Sequence, residues 1–278
     1  MKIIAMLSVV CAAAVAYSSD IQLPPPETGG GMSLMEALSL RKSGRGFSAR
    51  DLSEQTLSSL LWAANGINRP AEGRRTAPTG MNVQDIDVYV MTPSGVYIHD
   101  AKANVLKLVN PGDHRAAAGK QSFAQEAKLN LFYVHDSNRA MKLNSQDPLI
   151  YAGIHAGAIM QNVYLFCAKA GLVTVARAYI DYDACSKALK LEPNQRIVLG
   201  QTVGYPPSAE GVGRDGAVRA ALSHASLREQ DVRRLKCKLD REDGVLVYEV
   251  EFECGGYEYD YEIDAESGRV LKFEKDRD

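Results

Sequence analysis

The sequence predicts an α+β protein in two folded parts. Three observations carry this. Helix-period apolar segments and short β-rich runs alternate irregularly between Ser33 and Pro206. One helix-period segment, Leu149 to Ala170, is much longer than any strand run beside it and reads as a central helix. Over Tyr248–Cys254 and Tyr257–Asp264 the apolar period becomes strict alternation, the mark of a half-buried antiparallel sheet. The expected organisation is a signal peptide at 1–16, a tether at 17–32, a large domain at 33–207, a linker at 208–216 and a small domain at 217–278.

Each element has its own warrant. Lys2 precedes an apolar run, IIAMLSVVCAAAVA, and Ala14-Val15-Ala16 fits an A-x-A cleavage site. Val10 stands before Cys11 where a lipoprotein would place a small residue, so cleavage is expected after Ala16. No other run is expected to be long and apolar enough to cross a bilayer. The stretch YSSDIQLPPPETGGGM is rich in Pro, Gly and polar residues and reads as extended tether. Ser33 and Glu36 form a capping box that opens a helix running into Arg41–Gly46. A second helix runs from its Ser53 cap to Gly66.

DIDVYVMTPSGVYIHD is a hairpin around Pro-Ser-Gly, with VLKLV as a third strand. NLFYVHD is a buried strand, and the long helix follows, stopped by Gly171. Its small residues Ala152, Gly153, Ala156 and Gly157 recur at i and i+4 and suit close approach of a partner helix. A helix over Asp181–Leu191 and a strand over Arg196–Pro206 complete the large domain. The small domain is a helix, AVRAALSHA, laid on four strands, with Gly255-Gly256 as a two-residue turn.

The 278 residues carry a net charge of -2, with none of the basic excess of a nucleic-acid partner. After cleavage Cys167, Cys185, Cys237 and Cys254 remain, without C-x-x-C or a nearby His cluster, so no metal site is expected. Cys237 and Cys254 are expected to be offset across the REDG turn and unpaired. G-x-S-x-G, H-E-x-x-H, P-loop and G-x-G-x-x-G patterns are absent.

Two segments can bind a ligand. In RKSGR, Arg41 and Arg45 flank Ser43, a set suited to bidentate phosphate binding, although a solvated basic helix end has the same look. In RRTAPTGMNVQDI, Thr79, Asn82 and Gln84 could bond a flat heterocycle, and Gly80 admits close backbone approach; a loop that merely caps a strand is the alternative. His155, in the long helix, reads as a hydrogen-bonded core histidine rather than a proton donor. Asp181 and Asp183 read as helix-start residues rather than a metal pair.

Taken together and in order, five segments resemble the nitroreductase family of flavin enzymes. They are RKSGR, LSEQTLSSLLWAANGINRP, APTGMNVQ, AGAIMQNVYLFCAKAGLVTVA and VLGQTVGYP, spanning roughly 33 to 207. Within it, the sequence looks closest to the branch of azoline-oxidising peptide dehydrogenases. The resemblance implies bound FMN and a homodimer with shared sites. Arg41 and Ser43 would contact phosphate and ribityl, with Lys42 nearby, and Arg45 would lie at the pyrimidine edge. Pro78, Thr79, Gly80 and Asn82, within the segment ending at Gln84, would pack on the ring from the opposite subunit. Ala176-Arg177-Ala178 would line the other side, with backbone near N5. Two departures stand out: Asp85-Ile86 follows Gln84 where the family often has Pro-Trp, and the late basic residue near the phosphate has only Arg214, in the linker, as its counterpart.

Residues 217 to 278 resemble the PepSY domain, through A-x-x-A-L-x-x-A and YEVEFECGGYEYDYEID closed by IDAESGRVL. That resemblance implies export and a possible peptidase partner. The acidic row on its sheet is either a solvated face or a surface for a cationic partner. The leading reading is an exported FMN-dependent oxidoreductase passing electrons to a small-molecule or peptide acceptor. The alternative is a PepSY-based module that inhibits or tethers a peptidase, on a flavin-binding fold with little turnover.

Overall fold

The computed structural model describes residues 19–143, 148–207, 212–242, 245–265 and 268–277, so the expected signal peptide lies outside the described residues. The chain opens with β1 (Ile21–Gln22), α1 (Leu34–Leu40), α2 (Glu54–Asn65) and a small hairpin, β2 (Ile67–Arg69) and β3 (Arg74–Arg75). Next come β4 (Ile86–Thr92), β5 (Gly95–Asp100), β6 (Val105–Pro111), α3 (Ser122–Glu126), β7 (Leu129–Asp136) and α4 (Ser137–Ala140). The large domain closes with α5 (Pro148–Ala170), β8 (Val173–Arg177), α6 (Tyr182–Ala188) and β9 (Gln195–Gly204).

Seven of these strands form one antiparallel sheet in the order β1-β6-β5-β4-β7-β9-β8. The central strands are apolar on both faces because both are covered. Val88, Val90, Leu131 and Tyr133 face a core shared with α2 and α5, while Tyr89, Met91, Phe132 and Val134 face a second core with Ile180, Cys185 and Leu189. That two-sided burial explains the unbroken apolar look of NLFYVHD.

Ser33 caps α1 and Ser53 caps α2 through side-chain oxygens that accept from Glu36 and Thr56 N–H, as the sequence predicted. Two expectations need correction. Residues 19–27 are not a free tether. Leu23 is buried, β1 pairs with β6, Ser58 Oγ donates to the Pro24 carbonyl at 2.5 Å and Gln55 to Pro25 at 2.9 Å. Proline there removes donors, and α2 side chains supply them to the orphan carbonyls. α1 ends at Leu40 with Arg41 as its cap, in line with the stop expected at Arg41–Gly46, and Gly44 N–H bonds the Thr174 carbonyl and draws the chain onto β8. The other correction concerns α5, which is by length and composition apolar enough to cross a membrane, against expectation. Here it packs on α1, α2, β8 and β9. Its Ala152 and Ala156 are buried in the core, whereas a Cβ on Gly153 or Gly157 would meet nothing within 4 Å.

Beyond 208–211, which lie outside the described residues, α7 (Gly213–Ala225) starts inside the expected linker. It covers an antiparallel sheet of β10 (Arg233–Glu242), β11 (Val245–Cys254), β12 (Tyr257–Asp264) and β13 (Val270–Arg277), in that order. Ala217, Val218, Ala221 and Leu222 pack against Val250, Phe252, Tyr259, Tyr261 and Ile263. Gly255 and Gly256 both have positive φ, +62° and +79°, as their two-residue turn requires. Cys237 faces Val250 and Cys254 faces Tyr257, so the two cysteines are offset. The acidic row places Glu249 opposite Glu262, Glu251 opposite Asp260 and Glu253 opposite Glu258. Arg234, Lys236 and Lys272 answer it with pairs to Glu253, Glu251 and Glu262 at 2.7, 3.0 and 3.4 Å.

Candidate active site

The loop after α1 carries Arg41, Lys42, Ser43 and Arg45. None of its three cations meets a carboxylate among the described residues. The Arg41 guanidinium lies 5.3 Å from the centre of the Tyr164 ring. The Tyr164 hydroxyl is 2.9 Å from Ser43 Oγ and also accepts the Ala176 N–H at 2.9 Å. One hydroxyl on α5 therefore ties the basic loop to β8. Gly44 presses on the same strand, where an added Cβ would lie 2.5 Å from Val173 Cγ1. Tyr164→Phe is expected to cost about 1–3 kcal/mol, because it strips a partner from both groups. For a domain of this size that is a fall of about 2–12 °C in Tm. A melting curve superimposable on the parent would refute the bridge.

In the segment Ala176-Arg177-Ala178, the arginine side chain is not available to a ligand. The Arg177 side chain turns into the core, donating to Thr202 Oγ1 at 2.9 Å, Asn130 Oδ1 at 2.7 Å and the Ala118 carbonyl. Burial pushes its pKa down to about 10. Its role is to lock β8 against β7 and β9, a role that sequence position alone could not separate from ligand contact.

The loop from Pro78 to Gln84 is strained and held from within. Met81, Asn82 and Gln84 all have positive φ, between +49° and +55°. Gln84 N–H donates to Thr79 Oγ1 at 3.1 Å, and its side-chain amide donates to Gly73 O at 2.8 Å and Asn82 Oδ1 at 3.2 Å. Arg75 Nε donates to Gln84 Oε1 at 2.7 Å. Gln84 and Thr79 are thus spent on the loop rather than offered to a heterocycle. Pro78, Met81 and Asn82 are the exposed positions, with Gly80 half-buried behind them.

Beneath this loop lies a network that no sequence motif marks. Gly80 N–H donates to His155 Nε2 at 2.8 Å. That nitrogen must be unprotonated to accept, so the His155 proton sits on Nδ1, 2.6 Å from Asp85 Oδ1. The other Asp85 oxygen lies 2.9 Å from His135 Nδ1. Asp85, His155 and His135 are 0%, 2% and 3% exposed. A polar residue on a small, apolar helix was the visible signal for His155; Asp85 showed itself only as the residue where Pro-Trp was missing. Arg214 sits in the first turn of α7, exposed, 3.7 Å from Asp215. It belongs to the small domain rather than to a linker.

Comparison with known proteins shows the family. The family model described as "Nitroreductase family" matches residues 38–205, well over half of the chain. The chain belongs to the nitroreductase family. A C-terminal PepSY domain follows, through a match to "Peptidase propeptide and YPEB domain" at 215–274. A crystal structure of a candidate nitroreductase from Ralstonia eutropha superposes with a TM-score of 0.66 at 37% identity, covering 70% of this chain and 93% of that one. A candidate nitroreductase from Methanocaldococcus jannaschii is 28% identical over 190 residues, 65% of this chain and 94% of that protein. An uncharacterised protein from Streptococcus pyogenes is 43% identical over 61 residues; the chain spans only about half, 47%, of its length. The long central helix and the helix-flanked sheet are the nitroreductase fold, and the family is one of oxidoreductases.

Proposed function

We propose that this nitroreductase-family protein is an exported FMN-dependent oxidoreductase that works as a homodimer. The observation that carries the flavin is the uncompensated cluster of Arg41, Lys42 and Arg45, braced on β8 through Ser43, Tyr164 and the Ala176 N–H. Cations held without carboxylates fit a phosphate dianion. Bound FMN would supply the two-electron exchange with an organic substrate. The chain's own residues hold and orient: Arg41, Lys42 and Ser43 at the phosphate and ribityl, Arg45 where negative charge develops on the reduced ring. The Ala176–Ala178 backbone lines one face. A nitroaromatic, a quinone or an oxidisable peptide heterocycle fits the substrate role. Export rests on the apolar N-terminal run and on the PepSY domain.

The dimer has a geometric reason. His155, under the Pro78–Gln84 loop, and Tyr164, under the basic loop, are nine residues apart on α5. At about 100° per residue they project from opposite sides of the helix, about 13 Å apart along it. That separation suits a flavin shared between two copies, each bringing one of the two loops. The surface for that copy is exposed and apolar: Leu34, Met35 and Leu38 on α1, Ile150 and Ile154 on α5, beside the open Gly153 and Gly157. Ile154, 59% exposed, would sit at its centre. Ile154→Glu is expected to give a monomer in sedimentation with reduced flavin content. A dimer as stable as the parent would move the interface elsewhere.

The direct test is the visible spectrum of the purified chain. Bands near those of free flavin support the reading; a colourless protein that cannot be reconstituted with FMN sinks it. In that event the alternative, a PepSY module acting on a peptidase, becomes the working hypothesis.

A further inference from the structure

The proposed flavin site makes no use of the hairpin β2–β3, and that hairpin is unusual. Its register sets Arg69 opposite Arg74, and like charges facing each other across a ladder cost stability. Arg75 follows directly. The three arginines line a cleft of about 420 Å³ together with Pro78, Thr79, Met81 and Asn82.

The charges of these arginines are only partly answered. Arg74 has Glu72 at 2.9 Å. Arg69 has no ion pair and no side-chain hydrogen bond among the described residues. Arg75 is fixed by neutral acceptors, Gln84 Oε1 at 2.7 Å and the Asn65 carbonyl at 2.8 Å. Burial and the nearby Arg139 both lower its pKa, so its charge sits in an unfavourable environment, eased at a distance by Asp87 and Asp100. Arg139 itself is taken by Asp87 and Asp136, at 2.5 and 3.2 Å. The same cleft offers the side chain of Met81, 74% exposed and in a left-handed conformation. Paired forks with spare donors match a phosphate or carboxylate, and an exposed thioether beside them matches an apolar body.

We propose that Arg69, Arg74 and Arg75, with the Pro78–Asn82 loop, form an anion-binding subsite for the phosphate or carboxylate group of an organic ligand. That this ligand is the compound exchanging electrons with the flavin rests on the reading above, because the same loop is the one assigned to the ring. The subsite itself stands on the geometry of the hairpin and this loop, whatever the basic loop binds.

The molecule contains its own reporter. Trp62, the single tryptophan, donates Nε1–H to the Ile67 carbonyl at 3.2 Å, the first residue of β2. The full-length protein is titrated at constant ionic strength with inorganic phosphate and, separately, with succinate, following Trp62 emission. A saturable change with at least one is expected, and the tighter of the two tells a phosphate-bearing ligand from a carboxylic one. Arg69→Ala removes an exposed side chain without partners, so the fold is not at risk; together with Arg74→Ala it should weaken binding about tenfold or more through lost charge-assisted contacts. Arg228→Ala, on the small domain, should leave it unchanged. No saturable change with either anion, or equal affinity in the Arg69→Ala/Arg74→Ala protein, overturns the subsite. So does a parallel fall in flavin content, which would assign these arginines to the cofactor phosphate. A colourless protein that still binds phosphate through Arg69 and Arg74 keeps the subsite and rejects the flavin reading.

Discussion

Replacing Arg41 and Arg45 together by alanine is expected to lower the affinity for FMN by tenfold or more. Each removes a charge-assisted contact of roughly 1.5–3 kcal/mol, and about 1.4 kcal/mol is a factor of ten. Neither side chain is committed to a carboxylate among the described residues, so little stability is lost with them. The melting temperature of the flavin-free protein should therefore barely move while flavin retention collapses on gel filtration. Retention equal to the parent would reject the assignment of these arginines. The loss should be severe because Arg214, the one late basic candidate, is placed on the small domain's helix next to Asp215.

The largest effect on stability is expected at Asp85. Its carboxylate is fully buried and holds two imidazoles, 2.6 and 2.9 Å away. Truncating one partner of a buried, hydrogen-bonded set costs about 3–5 kcal/mol, because the groups left behind keep their desolvation penalty. For a domain of 150–250 residues, 1 kcal/mol is about 2–4 °C, so Asp85→Ala should lower Tm by about 6–20 °C. Asp85→Asn should be milder, since it keeps one acceptor and His135 can change tautomer to meet the amide N–H. A fall under about 2 °C in Asp85→Ala would show that the network contributes little. The effect should also reach the ligand loop. With Asp85 gone, nothing fixes the His155 proton on Nδ1, and the Gly80 N–H loses a reliable acceptor. Three residues at positive φ then lack their anchor, and limited proteolysis should cut near Met81, which is already exposed.

How far the sequence could be read depends on how local each signal was. The helix caps at Ser33 and Ser53, the stop at Gly171 and the Gly255-Gly256 turn were legible because each is decided within four or five residues. Strand alternation in β11 and β12 was legible for the same reason. The docking of residues 19–27 was not, since Pro and Gly look like linker wherever they occur. Only α2, some 30 residues later, supplies the donors that hold them. The small residues of α5 recur at i and i+4 in two pairs alike in sequence, yet Ala152 and Ala156 turn to the core while Gly153 and Gly157 stay open. Helix phase against the sheet makes that choice, and phase is a property of packing.

The amino-acid order by itself determined the two-part α+β architecture, the nitroreductase and PepSY segments and the basic loop at Arg41–Arg45, all written in short-range periodicity and motif. Tertiary structure decided what those residues do. It took Arg177 into the core, spent Thr79 and Gln84 on their own loop, and joined Ser43 to Ala176 through Tyr164. It also brought Asp85, His135 and His155 into contact across 50 and 70 residues of chain. A buried polar group must find a partner wherever the fold offers one, and over such separations only the closed sheet and α5 fix which partner that is.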